Sequence, residues 1–168
     1  MTNSINNIIQ KLQLEPHPEG GYYRQTYRSK DEIQSENLGK EYQGSRSFST
    51  CIYFLLTSDN FSAFHRIKQD EIWHFYDGSP ILLHIISKSG VHTSHLIGRD
   101  LENGEIPQFI VEGGNWFGAE VVNKDSYSLV GCTVSPGFSF EDFELKPKKE
   151  LIELFPENIE IISRLSRD

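Results

Sequence analysis

The chain has 168 residues, 37% of them hydrophobic, which suits one domain able to bury a core without staples. Its 24 acidic and 16 basic residues leave a formal charge of −8, against the clustered Lys and Arg that nucleic-acid binding requires. The longest apolar run, Ile81–Ile86, is interrupted by His84 and too short to cross a bilayer, so no membrane partner is expected.

The N-terminal MTNSINNIIQKL has neither a positive n-region nor an apolar h-region, so no signal peptide is read and a cytoplasmic location is expected. Cys51 and Cys132 sit in apolar strand-like runs without metal-ligand spacing and read as buried free thiols. Ile5, Ile8, Ile9 and Leu12 repeat at helical spacing over Ser4–Leu14, and Pro16 and Pro18 are expected to end that helix. A Gly20-Gly21 turn then leads into a strand with Tyr22, Arg24, Thr26 and Arg28 on one side and Tyr23, Gln25 and Tyr27 on the other. Neither face is purely apolar, which suggests a lining rather than a dry core. Ser29–Ser45 reads as a polar surface loop, about as long as ordered loops become.

Strand character returns at Ser47–Leu56. It continues through Phe61–Arg66 and Glu71–Tyr76, two flanks expected to form a hairpin that brings His65 and Glu71 together. Further strands are read at Ile81–Ser87, His92–Ile97, Gln108–Val111, Trp116–Val122 and Ser126–Ser135. Lys148–Phe155 and Glu157–Leu165 read as short helices separated by Pro156. About nine or ten short strands with helices only at the ends define an all-β sandwich or barrel. No repeat or linker divides the chain, so residues 1–168 are read as one domain.

The richest stretch, FSAFHRIKQDEIWHFYDG (61–78), resembles the first motif of the cupin superfamily, G-x5-H-x-H-x3,4-E-x6-G. His65 matches its first His, Glu71 its Glu and Gly78 its closing Gly, while Ile67 replaces the second His and Asp59 the leading Gly. The second motif, G-x5-P-x-G-x2-H-x3-N, has a counterpart in VEGGNWFGAEV, with Gly114 in place, Glu112 for the Pro and Phe117 for the His. Four separated segments together resemble the cupin subfamily DUF985: HPEGGYYRQTYRS, EIWHFYDGSP, GNWFGAE and VGCTVSPGFSFEDFEL. The resemblance implies a double-stranded β-helix, the jelly-roll barrel, with short N- and C-terminal helices and usually a homodimer. More distantly the chain is similar to metal-free, RmlC-like epimerases of dTDP-4-keto-6-deoxysugars, in which an N-terminal strand crosses to the partner and supplies an Arg.

Cupin metals are normally held by three His and one Glu. Only His65 and Glu71 remain here, so no metal and no other cofactor is expected. The expected partner is a small molecule in the barrel. Two inward polar groups need each other or a ligand. One reading makes His65 a general base with Glu71 as its charge partner and Tyr53 or Tyr22 returning a proton from the other face; the other makes the pair an inert remnant of a metal site. Trp73, Trp116, Phe117 and Glu120 are candidate pocket residues, each with core packing as its alternative. Tyr22 and Arg24 are candidates for ligand binding, Arg24 for anion capture, set against an ordinary salt-bridged strand. The functions left open are a metal-independent isomerase or epimerase, a non-catalytic ligand-binding or sensor protein, and a metal-dependent cupin with a reduced ligand set.

Overall fold

The computed structural model describes residues 2–168. Helix α1 (Thr2–Leu12) turns the half-buried Ile5, Ile8, Ile9 and Leu12 to one side. It ends earlier than its proline signals, because Gln13 adopts a left-handed conformation (φ 55°) and Leu14 N donates back to Ile9 O. Then follow β1 (Glu15–Pro16), β2 (Tyr22–Arg28), β3 (Glu32–Ile33), β4 (Arg46–Ser47), β5 (Thr50–Thr57), β6 (Phe61–Arg66) and β7 (Asp70–Gly78). The second half holds β8 (Ile81–Ile86), β9 (His92–Ile97), β10 (Gln108–Val111), β11 (Trp116–Val121), β12 (Tyr127–Ser135) and β13 (Glu144–Leu145). Helices α2 (Lys148–Leu154) and α3 (Ile159–Arg164) close the chain. Among the described residues no helix is long and apolar enough to cross a membrane.

One antiparallel sheet runs β1-β2-β5-β12-β7-β10 and a second runs β13-β6-β11-β8-β9. They face each other as a jelly-roll sandwich, open rather than closed into a continuous hydrogen-bonded barrel. Alternation sends Phe54, Leu56, Trp73, Val130 and Cys132 of the first sheet against Leu83, Ile85, Phe117, Ala119 and Val121 of the second. Each fully buried aliphatic or aromatic side chain contributes about 1.5–3 kcal/mol. A second core lies on the outer side of the five-stranded sheet, where Phe64, Ile86 and Trp116 are covered by Leu151, Ile161, Ile162 and Leu165.

Two local expectations change. β6 and β7 do not form a hairpin; they belong to opposite sheets. The connection Ile67–Gln69 carries the chain across, with Ile67 buried in the core and the Gln69 amide donating to Asp142 Oδ2 at 2.8 Å. The polar segment after β2 is also not a plain loop, because β3 and β4 pair Glu32 with Ser47 and Ile33 with Arg46. That ribbon stands at one open end of the sandwich.

Candidate functional site

A cavity of about 700 Å³ opens at the end of the sandwich where β2, β5, β7 and β12 meet β6. Its floor is polar, formed by His17, Glu19, His65 and Glu71. Phe54 and Trp73 wall it from the six-stranded sheet, and the strap after β12 covers it with Phe138, Phe140 and Phe143. Arg28, Glu32, Arg46 and Ser47 stand among the polar lining residues. An apolar enclosure with a few convergent polar groups is the usual form of a small-molecule site.

The floor is organised by Glu19, whose part the sequence reading missed. Gly20 and Gly21 take φ values of 117° and 71°, and a Cβ on Gly20 would stand 2.2 Å from Phe61 O, so this tight turn requires glycine. The turn presses Glu19 inward, and its carbonyl accepts from Ala63 N at 2.9 Å and Arg167 Nη2 at 3.2 Å. The Glu19 carboxylate lies 3.1 Å from both His17 Nδ1 and His65 Nε2 through Oε2, and Oε1 accepts from Ser62 Oγ at 2.7 Å. A register shift in β6, where Phe117 pairs with His65 but Ala119 with Ser62, turns Ser62 and His65 to the same side.

Burial alone would push the Glu19 pKa up; the charges of His65 and His17 and the hydrogen bonds from His17 and Ser62 hold it below the ordinary value. Burial would likewise lower His17, but the Glu19 carboxylate reverses this and raises it. For His65 burial prevails over Glu19 and the Ala63 carbonyl, and its pKa is lowered. His65 Nδ1 faces Ala63 O at 2.8 Å while Nε2 faces Glu19, so the ring meets an acceptor on each side. A neutral imidazole has one N–H for these two acceptors, so the Glu19 contact is complete only when the pair holds an additional proton. His17 differs: its Nδ1 lies 3.1 Å from Glu19 Oε2 and 3.4 Å from the Glu19 backbone N–H, the shorter carboxylate contact favours a proton on Nδ1, and among the described residues its Nε2 has no hydrogen-bond partner.

Glu71 approaches the cavity from the opposite sheet. It is not the partner of His65, because the sheet crossing separates them and Glu19 takes that position. Burial, reinforced by the negative charge of Glu19, raises its pKa to about 7. The Cys132 thiol, the His17 charge and the Trp73 indole N–H favour its charged form without overcoming burial, and among the described residues Trp73 Nε1 reaches no acceptor at bonding geometry.

Of the other residues singled out from sequence, Trp73 lines the cavity, whereas Phe117 lies behind it, packed on His65 with ring centroids 4.1 Å apart. Tyr53 is on the outer face of the six-stranded sheet against Tyr76, with centroids 6.0 Å apart, and does not reach the cavity. Tyr22 pairs with Leu55 outside the lining, and the Arg24 guanidinium donates to Leu12 O at 2.9 Å and Gln13 Oε1 at 3.2 Å. The face of β2 that lines the cavity is the other one, through Tyr23 and Gln25. A register shift between Gln25 and Tyr27 changes the alternation so that Arg28 joins them. Arg28 donates to Gln25 Oε1, Ser47 Oγ and Phe138 O, all neutral acceptors. Trp116 belongs to the outer core under the helices, beneath the Arg66 guanidinium at 4.9 Å. Glu120 also faces outward, bound to His84 Nε2 at 3.1 Å and Arg164 Nη2 at 2.6 Å.

The donor set does not fit the metal that the cupin fold often carries. Glu19 Oε2 is turned onto both imidazoles, so these three donors point at one another and not at a common centre. Phe117 and Ile67 fill the remaining positions with hydrocarbon, and among the described residues no three His, Cys, Asp or Glu side chains are grouped to hold an ion.

Two facing jelly-roll sheets with a cavity at one end define a cupin. The family model of the Cupin superfamily (DUF985) matches residues 6–146, and the chain belongs to that family. It is 32% identical over 159 residues to the uncharacterised protein YML079W of Saccharomyces cerevisiae, covering 89% of this chain and 79% of the yeast protein. A solved hypothetical protein from Leishmania major superposes with a TM-score of 0.88 at 36% identity, over 97% of this chain and 98% of its own. A solved Shewanella oneidensis protein does so at 0.87 and 41% identity, over 96% of each chain. Oxalate decarboxylase of Bacillus subtilis shares the fold alone, with a TM-score of 0.54 at 16% identity, over 91% of this chain and 37% of that enzyme.

Proposed function

We propose that this cupin binds a small carbonyl compound in its cavity and acts as a metal-independent isomerase, with His17 as the proton-transfer group. The observation that carries this reading is the buried Glu19 carboxylate held between two imidazoles, one of which, His17, lines the cavity and has a ring nitrogen without a hydrogen-bond partner among the described residues. His17 Nε2 takes the proton from the carbon next to the carbonyl: a C–H bond breaks, an N–H bond forms, and the electron pair passes to the enolate. The enolate oxygen takes the proton of the neighbouring hydroxyl, whose oxygen becomes the new carbonyl, and the imidazolium, after its N–H exchanges with solvent, returns a proton to the former carbonyl carbon. Glu19 stabilises the imidazolium and fixes the ring, while His65 and Ser62 position Glu19. This moves the role of base from His65, whose two nitrogens are both engaged, to His17. Arg28 at the cavity remains to receive an acidic group on the ligand.

The test is solvent-deuterium incorporation into α-hydroxy ketones and aldehydes, followed by proton NMR. Wild-type protein is expected to exchange the α-position of at least one compound, and His17→Asn to slow this by about a hundredfold or more. Glu19→Gln is expected to slow it as well. Equal rates in wild type and His17→Asn contradict the assignment of the base. A non-catalytic binding role is the second reading, favoured by the engagement of both His65 nitrogens; a ligand that binds but exchanges nothing would decide for it.

A further inference from the structure

Glu71 stands outside the hydrogen-bonded His17–Glu19–His65 group, with the weakly acidic Cys132 thiol as its nearest titratable neighbour on β12. Its residue is 8% exposed and lines the cavity. Among the described residues no cation pairs with it. The titratable groups around it are His17 and Glu19 from the N-terminal turn, Cys132 from the neighbouring strand β12, and His65 across the cavity on β6. Arg46, also among the lining residues, is committed to Asp142, with its Nε 2.7 Å from Oδ2. A buried carboxyl with a second carboxylate near it and no dedicated cation keeps its proton near neutrality. It then offers one O–H donor in a cavity wall that it shares with the apolar rings of Trp73 and Phe54 of the same sheet.

We propose that Glu71 is a ligand-binding group that donates its carboxyl O–H to a neutral oxygen on the ligand, selecting a carbonyl over an ammonium group at that wall. This deepens the small-molecule reading above and rests on the cavity being the ligand site. It does not require catalysis. The aromatic strap further favours a ligand with a flat or apolar body next to that oxygen.

Calorimetric titration at pH 6.5 with 2-hydroxyacetophenone, and with phenethylammonium as the matched cation, tests the assignment. Wild type is expected to bind the ketone, and Glu71→Gln to bind it within about threefold, since the amide N–H replaces the O–H. Glu71→Leu, which keeps the bulk but has no donor, is expected to bind it about tenfold more weakly. The cation should bind wild type at least about tenfold more weakly than the ketone. Thermal melting at or above the wild-type midpoint shows that Glu71→Leu is folded. Undiminished ketone binding by Glu71→Leu, tighter binding of the cation, or no ketone binding up to its solubility limit each overturns the proposal. Ketone binding that depends on Glu71 without deuterium exchange would discard the isomerase and retain the subsite, so the two failures are distinguishable.

Discussion

Glu71→Gln is expected to stabilise the protein by about 3 kcal/mol at pH 8 and to leave it nearly unchanged at pH 4. The carboxyl has a folded pKa of about 7, raised from an ordinary 4.5 by burial and by Glu19. Below pH 4.5 the group is protonated in both folded and unfolded chains and contributes no difference. Between the two values the unfolded chain releases the proton while the folded chain retains it, so stability falls as pH rises. Above about 7 the folded protein must also ionise Glu71, and the full cost is reached. Glutamine never ionises, so the gap between the two proteins should open with pH across this window. For a chain of this size the gain corresponds to a midpoint shift of about 5–10 °C at pH 8. Urea unfolding of both proteins at a series of pH values is the check. Parallel curves would mean that Glu71 is ionised and compensated in the folded state.

Asp142→Ala is expected to cost about 3–5 kcal/mol, the penalty for leaving a buried cation without its partner. The Asp142 side chain is fully buried and accepts from Arg46 Nε at 2.7 Å, Arg46 Nη2 at 2.8 Å and Gln69 Nε2 at 2.8 Å, with Lys68 Nζ at 3.0 Å. Arg46 is only 4% exposed, and its remaining carboxylate, Glu141, is largely in solvent. This cluster fastens the aromatic strap to β4 and to the connection between the sheets, so its loss should also expose the strap to protease. Replacing both partners by apolar residues, Arg46→Met with Asp142→Leu, should recover much of the loss, because no charge is then stranded. Denaturant unfolding of the single and double variants measures both effects. An Asp142→Ala protein within about 0.5 kcal/mol of wild type would show that water or Glu141 already satisfies Arg46.

Strand periodicity placed Trp73 with Glu71 on an inward face, and the motif spacing placed His65 among the buried polar groups; both describe local geometry that a sequence displays directly. What periodicity could not supply was the partner of each group. Glu19 and Ser62 are 43 positions apart and meet because a glycine turn at one place faces a strand irregularity at the other. The same kind of irregularity in β2 exchanged Arg24 for Arg28 as the arginine at the cavity. A perfect alternation therefore predicts the wrong face from one residue onward. Tyr53 failed for a simpler reason: it alternates with the inward Ile52 and Phe54, and so must face out. A signal for the missed residues did exist. In HPEGG, a His and a Glu flank a proline and are followed at once by two glycines, a turn that places polar side chains with little freedom. Ile67 and Phe117, which stand where the cupin motifs carry His, are both packed into the core between the sheets, a hydrocarbon identity that the sequence displays directly.

The proposed proton transfer by His17 depends on the Glu19 carboxylate joining two imidazoles. Nitrogen-15 NMR of histidine-labelled protein, titrated in wild type and Glu19→Gln, tests that most directly. His17 is expected to titrate above the ordinary 6.5 in wild type and to fall back in Glu19→Gln, since the carboxylate is what raises it. His65 Nδ1 should remain protonated throughout, held by the Ala63 carbonyl. A His17 midpoint at or below 6.5 that does not respond to Glu19→Gln would contradict the account.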